Sequence, residues 1–576
     1  MDFNYIDSIE TKESIVVWCR DLKGVLFKEE LPVSDYLYCF IPSNTEEEME
    51  WKDIYGTPLK KISFDSKWDL REYTKERDNL CESDVQPSYK VLLDLFAEAP
   101  KDAPQNVMFY DIENDFDLSD GRGYPLPSNP FAPINSFQFY NSSTDSYGIV
   151  YVCEDQFRAP VDPDGKIVKM YRCRDEKELL LKVSDLLDTL DVDILAGWNT
   201  NGYDLPMLIA RSTICFGETY AKKMFCRDGF SAKSREFIDD FGNDAVKWTL
   251  IGRQHLDMLE LYKKFIPSEK KSFSLSNVCL EDLGVDKVDF DGDLGELYRK
   301  NPEKFYEYSF WDGKLLKMLD DKHQIIKLAV TLARMNCVKP VDVTGAVKPI
   351  EHGIMKFAHR DKIALPDKVA NTKAKFEGAI VYDTVAGRTG WGFTIDLSAL
   401  YPSTMMMLGL SPETMVMQLK GEYEDYIKVM SKSEDIVEVG LLERGKVKEW
   451  LSLPAFEVEA IIRENGYTIS GIGVVFDGSF GLLSRYVKNG IELRNTHKKL
   501  MKEAQKAGNA YEAELNDLYQ RVVKIGNNSV YGATGEASFR LYDLRLSRSI
   551  TVTSRIISKH QAIVGNHLLR EVSNDV

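Results

Sequence analysis

The sequence holds no pair of cysteines at C-x-x-C spacing, no internal repeat and no low-complexity tract. No window approaches the roughly 18 apolar residues of a membrane span. Its nine cysteines are odd in number and scattered, which argues against a zinc site or a disulfide framework and leaves them as small buried apolar residues. The opening "MDFNYIDSIE" lacks the basic and apolar regions of a signal peptide, so the expected location is the cytoplasm, with no membrane partner. A surplus of cations is also missing. The net charge of -18 argues against a protein that coats nucleic acid regardless of sequence.

Charge is unevenly spread. From Gly481 to Val576 there are 15 Lys and Arg against 9 Asp and Glu, which leaves -24 on the first 480 residues. A basic C-terminal fifth on an acidic body fits a local polyanion site. With 576 residues and 44% hydrophobic content, the chain should form several domains with sizeable cores.

Short apolar runs such as "SIVVWC" and "YLYCFIP" alternate with polar turns up to about residue 105, as in a mostly β domain. Strands at "NVMFYDIEND", "SFQFY", "YGIVYV" and "VDILAGWN", with a helix at "EKELLLKVSDLLDTL", predict an α/β domain to about residue 320. "FEGAIVYD" and "GWGFTID" read as strands of a third domain. Residues 483 to 531 read as two long helices around "KAGNA".

Within this frame, "YDIEND" places Asp111 and Glu113 two apart on a strand, so both face one side. Paired carboxylates on a rigid strand suit hard divalent cations. D-x-E alone is more often a solvated strand face. Two further stretches add weight: "GWNTNGYDLPML" carries Asn199, Asn201 and Asp204, and "YSFWD" carries Tyr308 and Asp312 at helical i, i+4 spacing. In this order the three resemble the exonuclease motifs of the proofreading domain in family B DNA polymerases. The resemblance implies two-metal hydrolysis of a phosphodiester, with Asp111, Glu113, Asp204 and Asp312 as ligands of two Mg²⁺ or Mn²⁺ ions roughly 3.5–4 Å apart and Tyr308 orienting the attacking water.

A second set begins with "IDLSALYPS". It resembles polymerase motif A of the same family, followed by "SPET". Asp396 is expected to end a strand and hold a second pair of Mg²⁺ ions, and Tyr401 to pack under the sugar of a nucleotide. "KIGNNSVYG" resembles motif B. Lys524, Asn528 and Tyr531 fall on one helical stripe, with Gly532 expected at the helix end. Arg494, Lys498 and Lys502 form a cationic stripe on the preceding helix, where a solvated face is the ordinary reading. By resemblance to polymerase fingers, Arg494 and Lys498 grip the β- and γ-phosphates, Lys524 meets a phosphate, and Tyr531 packs on the nascent pair.

"LELYKKF", "KSFSLSNV", "FEGAIV" and "FRLYDLR" extend the resemblance to the replicative polymerases of T-even-type bacteriophages, from about residue 105 to near the end. It implies an α/β and α+β multidomain fold. The expected parts are a β-rich N-terminal domain over 1–105, shared with 325–368, and an RNase H-like 3'-5' exonuclease domain over 106–324. A palm over 369–482 and 533–576 and helical-hairpin fingers over 483–532 would follow. The second carboxylate motif of the palm, a "GDTDS"-like hairpin, is not found after motif B. "SSTDSYG" (Ser142 to Gly148) precedes motif A and lacks the first acid. The expectation is therefore an incomplete palm without a thumb, in a DNA-directed DNA polymerase split over two chains. The partners would be a C-terminal subunit with that motif and the thumb, primer-template and single-stranded DNA, dNTPs, and a sliding clamp reached through the second chain. For a phage-encoded protein, the cytoplasm is that of the bacterial host. A stand-alone exonuclease with a polymerase remnant, and a non-enzymatic nucleic-acid-binding regulator, are the competing readings.

Overall fold

The computed structural model describes residues 2–43, 49–116, 121–238, 244–285, 294–372, 378–381, 387 and 395–574. The chain divides into two compact units. One holds Met1–Tyr36 with Pro87–Thr344, and the other Leu37–Gln86 with Gly345–Val576. Residues 1–105 are thus shared between the units, and so are 325–368.

The first unit is built on a six-stranded mixed sheet. Its order is Val168–Cys173, Ser146–Val152, Ile134–Asn141, Val107–Asn114, Ile194–Gly197 and Gln254–Asp257. Strand Val107–Asn114 is central: it pairs antiparallel with Ile134–Asn141 and parallel with Ile194–Gly197. "TD" of the Ser142–Gly148 stretch ends the turn between two of these antiparallel strands, with Asp145 in the left-handed region, and Ser146 already pairs with Asn141. The core beneath the sheet joins Tyr110, Ile112, Phe137, Leu179, Leu187 and Leu208.

A three-stranded meander, Phe3–Glu10, Ser14–Asp21 and Leu26–Pro32, packs into the same unit. Trp18 enters the core, and Arg20 donates to both oxygens of the fully buried Asp193 (Nε 2.7 Å, Nη2 2.6 Å). Arg227 approaches the same carboxylate, so two guanidinium groups offset the cost of taking Asp193 from water.

The second unit contains a five-stranded antiparallel sheet, ordered Lys446–Pro454, Ile436–Glu443, Met415–Leu419, Val474–Phe476 and Thr468–Ile469. Residues 37–86 add a small sheet of their own. "FRLYDLR" supplies the clamp that holds them: Arg540 Nη1 donates to Asp84 Oδ1 and to the Pro366 carbonyl, both at 2.7 Å. His359 pairs with the buried Glu82 (2.9 Å). Burial alone would raise the Glu82 carboxyl, but the charge and hydrogen bond of His359 outweigh it and hold that group below its usual range.

Helices Leu482–Lys506 and Ala510–Thr534 form an antiparallel hairpin. The turn uses Gly508 at φ +70, a conformation an L side chain resists. At Gly490 the two helices close up. A Cβ there would lie 2.1 Å from Asn527 Oδ1, and that amide also donates to the Val487 carbonyl (3.3 Å). The chain continues into helix Leu544–Asn574.

Two expectations are corrected here. The described parts of the strands expected at 376–383 and 390–396 are residues 378–381 and 395–396, and they carry no strand pairing; the rest lies outside the described residues. Gly532 does not end its helix. The helix runs to Thr534 because Ala533 and Thr534 are themselves buried, with Thr534 Oγ1 donating back to the Tyr531 carbonyl.

Candidate active sites

Alternation along Val107–Asn114 sends Tyr110 and Ile112 into the core and leaves Asp111 and Glu113 on the other face, half-buried. Above that face lies helix Pro302–His323. Asn301 caps its N-terminus, its side chain accepting from Lys304 N, and Pro302 opens it, a position where a missing N–H costs nothing. The helix is buried on most of its circumference, and Phe305, Tyr308, Asp312 and Leu316 share one stripe of it. Asp111, Glu113 and Asp312 come together so closely that one carboxylate oxygen from each lies within 4.8 Å of the others. Tyr308 lies one helical turn before Asp312 and is also buried.

Asp204 opens helix Asp204–Phe216 and is almost fully buried, its Oδ1 accepting from the Ile112 amide (3.2 Å). Burial first and the Asp111 charge second push the Asp204 carboxyl well above the carboxylate range. Those two causes outweigh the amide bond, which favours the charged form. Asp111, Glu113 and Asp312 held this close repel one another, Asp111 also acts on Asp204, and a bound cation would relieve that repulsion. Every donor is a carboxylate oxygen, the set preferred by Mg²⁺ or Mn²⁺ over softer metals, so the residues fit the expected cations.

The loop before Asp204 has a support that the sequence reading passed over. Asp257 accepts from the backbone amides of Asn199 (3.2 Å) and Asn201 (2.9 Å) and also caps the next helix at Leu259 N (2.9 Å). Asn199 sits in the left-handed region at φ +60. Tyr203 Oη donates to Asn114 Oδ1 at 2.9 Å, tying the loop to the strand of the paired acids. Asp257 lies at the junction of the buried strand Gln254–Asp257 and the helix "MLELYKKF", and a helix-cap search would have found it.

In the second unit the predicted residues are more open. Asp396 is exposed, in a segment without regular secondary structure. Among the described residues it joins no cluster of three metal-grade ligands. Tyr401 is the second residue of helix Leu400–Leu408, and its ring meets that of Tyr531 at 4.5 Å between centroids. Motif A and motif B are therefore in contact through their tyrosines.

On the helical hairpin Lys524 and Asn528 are exposed, while Arg494 and Lys498 are half-buried. Arg494 Nε donates to Gln520 Oε1 across the helix pair (3.4 Å). Lys498 is held below the usual lysine range, chiefly by the charge of Arg494, then by burial and by Lys502 and Lys524. Cations from both helices thus share one neighbourhood, as a polyanion site requires.

The profile for "DNA polymerase family B, exonuclease domain" matches residues 59–278, and that for "DNA polymerase family B" matches residues 341–575. The chain is 23% identical over 557 residues to a DNA-directed DNA polymerase of Enterobacteria phage T4, covering 89% of this chain and 61% of that one. It is 24% identical to a DNA-directed DNA polymerase of Escherichia phage RB69, over 99% of this chain and 67% of the other. A DNA polymerase delta catalytic subunit of Schizosaccharomyces pombe is 27% identical, over 93% and 47%. The chain therefore spans about half to two thirds of the length of these relatives. A solved family B DNA polymerase from the archaeon Pyrobaculum calidifontis has the same fold, with a TM-score of 0.69 at 18% identity over 99% of this chain and 72% of that one. With an exonuclease segment and a polymerase segment in the order that family has them, the chain belongs to the family B DNA polymerases.

Proposed function

We propose that this chain acts in DNA-directed DNA synthesis and carries its 3'-5' proofreading exonuclease. The observation that carries the reading is the convergence of Asp111, Glu113 and Asp312, with one oxygen of each within 4.8 Å of the others, beside the buried Asp204. Divalent cations bound there would supply an activated water and offset the charge on the leaving 3'-oxygen. The chain's own part is to hold the carboxylates still on a central strand and a buried helix. Tyr308, one turn from Asp312, would hydrogen-bond the attacking water.

Nucleotide addition is assigned to the second unit. Asp396 would ligate a cation, and Tyr401, braced by Tyr531, would pack under the sugar. Arg494, Lys498 and Lys524 would hold the triphosphate, and Asn528 and Tyr531 would face the nascent base pair. Asp396 stands outside any cluster of three such ligands among the described residues. We therefore propose that addition needs a carboxylate from outside these residues, in its two-chain form from a C-terminal subunit.

The full chain incubated with 5'-labelled single-stranded DNA and Mg²⁺ is expected to shorten it stepwise from the 3' end, and EDTA to stop it. Absence of metal-dependent shortening overturns the exonuclease assignment and leaves a binding protein. Primer extension by the purified chain alone would overturn the two-chain form. Extension only after a C-terminal chain is added supports it, and shortening without extension even then favours the stand-alone exonuclease.

A further inference from the structure

The pairing register sets Gln138 directly across from Asp111, and Ser136 across from Glu113. In "SFQFY" the phenylalanines point into the core, so Ser136 and Gln138 share the face that carries the acids. Both are essentially inaccessible, at 0% and 1% exposed. Gln138 Nε2 donates to Asp111 Oδ2 at 2.7 Å, and Ser136 Oγ donates to Gln138 Oε1 at 3.1 Å. Helix Pro302–His323 closes over the pair at Gly313, whose added Cβ would just touch Gln138 Cγ at 4.0 Å. Gly313 follows Asp312, so the same turn that delivers the third acid also seals Gln138 in.

A buried amide between Phe137 and Phe139 has a desolvation cost, which an apolar residue in its place would not have. The geometry gives the amide another use. A carboxylate fixed by one N–H bond cannot rotate freely, so its remaining lone pairs keep one direction. The amide itself cannot turn over. Flipped, its carbonyl oxygen would face Asp111 Oδ2, oxygen against oxygen, and the Ser136 hydroxyl would lose its acceptor.

We propose that Gln138, oriented by Ser136, is a positioning residue that aims the Asp111 carboxylate at a divalent cation held with Glu113 and Asp312. This rests on the exonuclease reading for its biological meaning, but its physical content is cation affinity. Outer-sphere partners of this kind contribute roughly 10–100-fold to metal binding.

The test uses the full chain, without DNA. Calorimetric or paramagnetic titration with Mn²⁺ measures binding, and Asp111→Ala identifies the component that belongs to this site. Gln138→Met keeps the volume and removes the donor. It is expected to weaken that component about tenfold or more. Ser136→Ala should weaken it less, and Ser136→Thr should restore it. In digestion assays the Gln138→Met defect should be an increased Mn²⁺ requirement with turnover recovered at saturating cation. A merely structural role would lower turnover at every concentration. Thermal melting of each variant shows which of them fold. If Gln138→Met and Ser136→Ala both fold and bind Mn²⁺ as wild type does, the inference is wrong. Loss of digestion by wild type with the Mn²⁺ differences intact would strike the exonuclease reading and not this one.

Discussion

The two candidate sites, under the proposed function, would handle the same chemistry, carboxylates and cations around a phosphate, in opposite states of preparation. In the first unit the acids are fixed in the fold. Asp111 and Glu113 sit on a central strand, Asp312 on a buried helix, and Asp204 is driven above the carboxylate range by burial and by Asp111. In the second unit Asp396 and Lys524 are exposed, and Arg494, Lys502 and Lys524 crowd Lys498 with like charge. Besides its cations, hydrolysis would take only water and a strand end, so the placing of its acids can be settled during folding. Addition must admit and release a triphosphate at each cycle, and an open site leaves that cost to be met by the ligand.

The sharpest break between the two sites comes from removing one acid from each. Asp312→Ala should lower digestion on the order of 10³-fold while leaving dNTP binding unchanged. It should not lower the melting temperature in EDTA, because it relieves repulsion. A large drop in melting temperature would mean that the carboxylate is a structural group. Arg494→Ala is the converse. It should weaken dNTP binding, measured by calorimetry, about 10–100-fold, as loss of a charged hydrogen bond does, with digestion of single-stranded DNA intact. Equal loss of both activities would deny that the sites are separate.

A smaller effect sharpens the idea that the first site is strained without its cations. Asp204 titrates higher in the folded chain than in the unfolded one. Between the ordinary carboxylate range and its own raised value, the folded chain holds the proton and the unfolded chain does not. Stability in EDTA must then fall as pH rises through that interval and stay low above it. Asp204→Asn removes the slope, so at pH 8 the variant should melt above wild type in EDTA. Mg²⁺ should reverse the order by stabilising wild type more. Parallel melting curves across pH 4–8 would contradict this.

How much of this was legible depended on how local the signal was. Asp111 and Glu113 follow a period of two, and Tyr308 and Asp312 a helical turn, so short stretches revealed their faces. The helical hairpin was equally plain, its two long periodic runs meeting at Gly508. Gln138 was not legible, because strand register is set by the whole sheet and "SFQFY" does not say which residue lies across from Asp111. The sharing of residues 1–105 between two units was hidden for a similar reason. It depends on long-range pairs such as Arg20 with Asp193 and Arg540 with Asp84. Gly532 misled as a helix end because the burial of Ala533 and Thr534 overrides a local propensity of about 1 kcal/mol.

The smallest effect examines the open site most directly. Lys498 lies below the usual lysine range, with Arg494 the first cause, burial next, then Lys502 and Lys524. If the hairpin is prepared for an anion, this crowding is a standing repulsion that a triphosphate removes. Arg494→Met should therefore raise the Lys498 titration toward its ordinary value, read from the ¹³Cε shift of labelled lysine. A dNTP added to wild type should raise it too, so that binding takes up a proton once the pH nears the lowered value, and proton uptake should shrink in Arg494→Met. A Lys498 titration unmoved by either change would mean that these cations do not act on one ligand, and the contrast between a site assembled by folding and one assembled by its substrate would lose its second half.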